Sequence, residues 1–241
     1  MGVIRKQSIR NSIIFYIGMS IGAINTVLIY PNVFNDQPEH WGLIQLLVAY
    51  GLVLSTFTSF GIPKVLLKFF PTYRDKSKLL TYSMLIPTIG LFFVSLIYIF
   101  FKNEIFILLK MDPLLQKNFI YVFLLIFCIS FYEIFSALSR SYLDAITPVV
   151  LNEFFLKTFT LVILLLHGFK FIEFSTFLIL YVSGYLIKLF ILFLINIKNK
   201  RISISTSLSD LNYRELFKFG LYVFAGGLSI MIVTRLDMLM I

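Results

Sequence analysis

The residues of this sequence best able to do chemistry are ionisable groups set inside long apolar runs. Arg235 and Asp237 lie in VTRLDMLMI, Lys188 in YLIKLFILF, Glu153 and Lys157 in NEFFLK, and Glu133 in FYEIF. A charged residue at the centre of a membrane helix costs roughly 2.5–3.5 kcal/mol on insertion scales, so each is expected to face protein or a wet cavity. Arg235 and Asp237 are two residues apart and point to different faces of a helix, so they cannot simply cancel. Arginine suits phosphate because its planar fork engages two oxygens and stays charged. Arg235 is therefore expected to bind an anion in a cavity, with Asp237 orienting it, pairing elsewhere or coupling to an ion. The competing reading is a structural ion pair between helices. Glu153 and Lys157 are four apart with the acid first, the favourable order for a helical pair. They either neutralise each other or take part in ion coupling. Lys188 either snorkels along its own stem toward a basic loop or reaches an anionic group. Glu133 precedes Arg140 by seven residues on a similar helix face and is expected to pair with it.

Other chemistries lack their residues. His40 and His167 are far apart with no ligand spacing, and a single Cys128 allows neither an intrachain disulfide nor a cysteine-based metal site. There is no Walker loop, no glycine-rich dinucleotide turn after a strand and no G-x-S-x-G elbow. No metal, cofactor or enzymatic activity is expected.

The elements that must position these groups are membrane helices. The 241 residues are 59% hydrophobic, 17% aromatic and only 14% charged, and the mean hydropathy is +0.92. A soluble domain of this length would expose much of that apolar surface. The net charge of +9 does not indicate nucleic acid, because the cations cluster in short loops between apolar runs, where topology and anionic headgroups account for them.

About 20 helical residues cross the ~30 Å hydrocarbon core. Six runs of that kind are complete, at 11–34, 42–62, 79–101, 119–138, 148–166 and 174–197, and a seventh begins near Phe219. The first holds Gly18 and Gly22, a small-residue step that lets another helix approach closely, with Ser20 and Asn25 nearby. It is read either as a packing face or as the wall of a polar cavity. Pro87 and Gly90 predict a kink in the third run, and 63–78, with Lys64 and Lys68, predicts an amphipathic turn at the headgroups. A short surface helix is expected over 212–219, capped by Asp210. Of the 21 Lys and Arg, 14 fall in segments on the side of the N-terminus and 4 on the other. The positive-inside rule then places the N-terminus in the cytoplasm. The expected fold is all-α and integral to the membrane. Residues 1–211 form a six-helix bundle, and 212–241 form the surface helix and a seventh span opening a second bundle. That span is still running at Ile241 and reads as cut.

Three stretches carry a family resemblance: RKQSIRNSIIFYIGMSIGAINTVLIYPNVF at the start, SFGIPKVLLKFFPTYRDK after the second run, and GLYVFAGGLSIMIVTRLDMLMI at the end. In order and spacing the chain resembles the N-terminal half of a bacterial oligosaccharide or polysaccharide flippase of the multidrug/oligosaccharidyl-lipid/polysaccharide exporter superfamily. The resemblance implies two helical bundles about a cavity that opens alternately inward and outward in the bacterial inner membrane. It implies flipping of a polyprenyl-diphosphate-linked oligosaccharide to the outer leaflet, in the making of O-antigen or capsule. Cavity cations would hold the diphosphate; in the family the first and seventh helices border the cavity, which carries over onto Asn25 and Arg235, and onto Arg10 at the cavity mouth, while Lys188 joins them as a substrate-binding candidate through its own place in an apolar run. Implied partners are the lipid-linked substrate, membrane lipids, the missing C-terminal half, and a polysaccharide polymerase or glycosyltransferases.

Two other functions compete. A drug/cation antiporter of the same superfamily would use Asp237 or Glu153 as its main site. A membrane glycan polymerase or acyltransferase would need a substantial outer loop with catalytic groups, and none of the loops qualifies.

Overall fold

The computed structural model describes residues 2–207, 209 and 211–239, with side chains over 7–207, 209 and 211–229. Helix α1 (Gly2–Ile24) passes into a π-helical segment (Asn25–Ile29) and the short α2 (Tyr30–Val33). There follow α3 (Pro38–Ser59), α4 (Ile62–Phe69), α5 (Lys76–Leu108), α6 (Pro113–Asn118) and α7 (Ile120–Ser141). Helix α8 (Ile146–Val149) leads through a second π-helical segment (Val150–Phe155) into α9 (Leu156–Gly168), then α10 (Phe174–Lys198) and α11 (Tyr213–Leu239). No strand occurs among the described residues. Among the described residues, six helical stretches are long and apolar enough to cross a membrane: Gln7–Val33, Pro38–Ser59, Lys76–Leu108, Ile120–Ser141, Ile146–Gly168 and Phe174–Lys198. They coincide with the six complete runs of the sequence, and the chain is an all-α membrane protein.

Helix α7 is the axis of the bundle. Leu125, Ile126, Ile134 and Leu138 are fully buried along it, and it packs against α3, α4, α5 and α10. Lipid supplies little hydrophobic drive between helices, so close contact and interhelical hydrogen bonds must hold them. A Cβ on Gly51 of α3 would lie 3.0 Å from Leu125, and one on Gly184 of α10 would lie 2.8 Å from Phe159. The Thr58 and Ser130 hydroxyls meet at 2.9 Å between α3 and α7. Asn196 of α10 and Ser139 of α7 exchange hydrogen bonds at 3.0 and 3.1 Å, both buried. The outer faces are dressed for acyl chains, and on α5 Phe92, Phe93, Ile97, Ile99 and Phe100 are exposed.

Two local expectations are corrected. Helix α5 leaves helical geometry at Phe101 (φ −117°, ψ 21°) and not at Pro87 or Gly90. Gly90 instead seats α5 on α3, where an added Cβ would lie 2.6 Å from the Thr58 carbonyl oxygen. The basic stretch after the second run forms the short α4, whose Ile62, Val65, Leu66 and Phe69 are buried while Lys64 and Lys68 are exposed, with α7 packed against that helix. Phe60 and Gly61 turn the chain into α4 with left-handed backbone (φ 47° and 70°), and at Gly61 a side chain would also strike the Gly220 carbonyl at 2.7 Å. The surface helix and seventh run are one helix, α11, packed on α3 and α4. Its cap is Asn212, whose Oδ1 accepts from the Glu215 amide at 3.3 Å, while Asp210 lies outside the described residues.

An ion pair ties the ends of α7 and α10 together, with Arg201 Nη1 2.9 Å from Asp144 Oδ2. Burial pushes the Asp144 carboxyl up, but the Arg201 guanidinium and the Thr147 backbone amide outweigh it and hold the group below its ordinary value. A carboxylate lowered in the fold stabilises it above the unfolded value of about 3.9, and that contribution fades as pH falls through the lowered folded value. Melting in detergent should therefore show wild type above Asp144→Asn by a constant margin over about pH 5, with the two converging on further acidification. Gly90→Ala should cost about 1–3 kcal/mol through overpacking. Gly42→Ala, inside α3 with nothing within 4 Å of its Cβ, should instead raise stability by about 0.5–1 kcal/mol through helix propensity.

Candidate binding cavity

The site begins with how closely α1 can approach its neighbour. A Cβ on Gly18 would run into the Glu153 carbonyl oxygen, and one on Gly22 would lie 3.3 Å from Lys157 Cδ. The same face ends in Asn25, 3% exposed, whose Nδ2 donates to the Lys157 carbonyl at 3.0 Å. Gly18, Gly22 and Asn25 thus form one stripe docked on residues 153–157. Both partners are π-helical at or beside the contact, over Asn25–Ile29 and Val150–Phe155. Such wide turns commonly mark functional positions in helices. Here the second one presents Asn152 and Glu153 inward, and the Pro148 carbonyl before it accepts from the Tyr132 hydroxyl.

The charged groups are joined in a chain. Lys157 Nζ lies 2.7 Å from Glu153 Oε2, and Glu153 Oε1 accepts from Asn152 Nδ2 at 2.9 Å. Asn152 Oδ1 accepts in turn from Lys188 Nζ at 2.8 Å. Lys188 is only 4% exposed, so it does not snorkel to the headgroups. Its ammonium sits 4.3 Å from the centre of the Tyr132 ring and 4.8 Å from that of Tyr185, a geometry in which the ring faces attract a cation.

This network walls a cavity of about 430 Å³, lined also by Asn25, Thr26, Tyr30, Glu133, Thr160 and Tyr181. That volume lies within the roughly 300–1,000 Å³ of small-molecule sites. A smaller chamber of about 180 Å³ shares Thr26, Tyr30, Val48 and Tyr181 with it and continues to Gln45 and Trp41. Tyr30 and Trp41 stack there with ring centres 5.8 Å apart.

Residues 8–241 match the family model described as polysaccharide biosynthesis protein. The chain belongs to this family. No curated protein and no solved structure matches it.

Of the residues singled out in the sequence, Asn25, Lys157 and Lys188 share the cavity wall, and Glu153 joins them through its bonds. Glu133 lines the cavity and forms no ion pair with Arg140; the ion pairs drawn among the described side chains are Lys157–Glu153 and Arg201–Asp144. Arg10 is exposed on α1 and lies outside the wall. The side chains of Arg235 and Asp237 lie outside the described residues. Sequence reasoning passed over Asn152 and the four tyrosines Tyr30, Tyr132, Tyr181 and Tyr185. The signal available was spacing, since Tyr181, Tyr185 and Lys188 follow a three-to-four residue helical step.

A double-mutant cycle tests the network. Asn152→Leu and Lys188→Met should each lower the melting temperature in detergent. The double variant should lose less than the sum, with a coupling of about 0.5–3 kcal/mol.

Proposed function

We propose that the chain moves a polyprenyl-diphosphate-linked oligosaccharide from the inner to the outer leaflet, as a transporter and not an enzyme. The observation that carries the reading is a cavity lined by charged and polar side chains between membrane-spanning helices, in a chain of the polysaccharide biosynthesis family. Buried charge of this kind is costly in a membrane and is retained where a hydrophilic cargo or ion must pass. The saccharide enters the cavity while the polyprenyl tail stays among acyl chains. Arg235 of α11 holds the diphosphate through its bidentate fork, and Asp237 orients it or couples an ion. Residues 1–211 act as one bundle, and α11 opens a second that rocks against the first in the bacterial inner membrane. The cytoplasmic N-terminus follows from the distribution of Lys and Arg.

In cells, deletion of the gene should leave lipid-linked repeat units on the inner leaflet. Arg235→Ala should abolish surface glycan at unchanged protein level, and Arg235→Lys should retain part of it. Wild-type display by Arg235→Ala would remove that residue from the mechanism. In proteoliposomes, a polyprenyl-diphosphate-linked saccharide should become accessible from the opposite face only when the protein is present.

A further inference from the structure

We propose that the apolar groove on the outer face of α7, between α5 and α10, seats an acyl chain of an anionic glycerophospholipid whose phosphate is met by Lys76, Tyr142 and Arg201. The site lies away from the polar cavity and does not depend on the transport reading.

The groove comes first. Helices α5 and α10 both pack on α7, and between them lies an apolar hollow of about 280 Å³. Phe135 and Leu189 form its buried floor, and Phe127 and Phe190 stand exposed at its rim. Its lining is five phenylalanines, two leucines and Met84, with no polar residue and no Gly, Ala or Ser. Helices that meet in a membrane do so through small residues that let backbones approach, as Gly18, Gly51 and Gly90 do in this bundle. A hollow among bulky rings suits a thin flexible hydrocarbon chain and not another helix. Nor does α11 cover it. Tyr82 of α5 meets Tyr213 of α11 with ring centres 5.8 Å apart, whereas Met84, two residues on, turns to the opposite side of α5 and into the groove.

The charge at one end selects the lipid. Lys76 and Tyr142 lie eight and seven residues beyond Met84 and Phe135, two helical turns or about 11 Å toward the cation-rich side of the bundle. The Lys76 ammonium sits 5.6 Å from the centre of the Tyr142 ring, and the Arg201 guanidinium 5.7 Å from it. Two cations from separate segments therefore converge on one exposed ring, whose hydroxyl can donate to a phosphate oxygen. The nearest acids in sequence are already engaged. Asp75 caps α5 by accepting from the Ser77 amide at 3.2 Å, and Asp144 accepts from Arg201 Nη1 at 2.9 Å, which leaves the guanidinium's other N–H groups to a ligand. Arg140 and Lys198, in the last turns of α7 and α10, add to the positive excess. Basic groups between spanning helices on the cytoplasmic side hold anionic headgroups. A zwitterionic headgroup carries its own ammonium and gains less there.

The test uses the full chain purified in detergent, with phosphatidylglycerol and phosphatidylcholine of identical acyl chains as probes. In native mass spectrometry one phosphatidylglycerol should be retained several-fold more tightly than phosphatidylcholine. Lys76→Gln should weaken phosphatidylglycerol about fivefold, the loss of one cation beside an anionic headgroup, and leave phosphatidylcholine unchanged. Lys102→Gln, toward the other end of α5, should change neither. Phosphatidylglycerol with a diazirine in its acyl chain should cross-link to residues 127–135 and 186–193, and Met84→Trp, which fills the groove, should remove that cross-link. Equal retention of the two lipids, cross-links no richer there than at the exposed Phe92 and Phe93 of α5, or unchanged affinity in Lys76→Gln would each overturn the proposal. So would a dimer of the chain that excludes the lipid, or displacement of phosphatidylglycerol by equimolar polyprenyl phosphate.

Discussion

An ammonium group cannot be left bare in hydrocarbon, and the interior of this bundle is arranged around that constraint at Lys188. The side chain is almost wholly buried, in the middle of a helix apolar enough to span a membrane. Its charge is met by an amide oxygen and two ring faces, with no carboxylate in direct contact. The amide belongs to Asn152, which is turned inward by a π-helical segment and held by Glu153, itself fixed by Lys157. The segment can take its place only because α1 presents Gly18 and Gly22 to it. Glycines on one helix, a widened turn on the next and a lysine on a third therefore form one dependent set. Such polar networks hold when every member is satisfied and lose much of their value when one is removed.

The same set explains why the cavity is polar on the inside and the bundle apolar on the outside. Helix α7 carries Tyr132 and Glu133 toward the cavity, while Phe127 and Phe131 line an apolar groove with Leu186 and Phe190 of α10. Neighbouring positions on one helix thus serve two solvents.

Much of this was legible in the sequence. Six spans follow from length and hydropathy, and the structure places helices on all six. Glu153 and Lys157 could be paired from their spacing alone, because four residues is one helical turn. Gly18 and Gly22 announced a close approach, though not its partner, which lies more than 130 residues away in sequence. What escaped depends on tertiary placement. Lys188 was as consistent with snorkelling as with a cavity, and only its packing against Asn152 and two tyrosines decides. Glu133 and Arg140 share a face in a helical projection, yet Glu133 turns to the cavity and the pair does not form. Gly90 looked like a hinge beside Pro87 and proved to be a contact surface for Thr58. A helical wheel gives the face of a residue, not the helix it meets there.

The central claim is that the polar groups inside the bundle border a water-filled space within the membrane. Cysteine accessibility measures this directly in a Cys128→Ser background, with a charged, membrane-impermeant thiosulfonate applied to both faces of membrane vesicles. Thr26→Cys and Glu133→Cys should be labelled, whereas Phe190→Cys, on the apolar outer face, should not. Thr26→Cys and Glu133→Cys remaining as unreactive as Phe190→Cys would contradict the account.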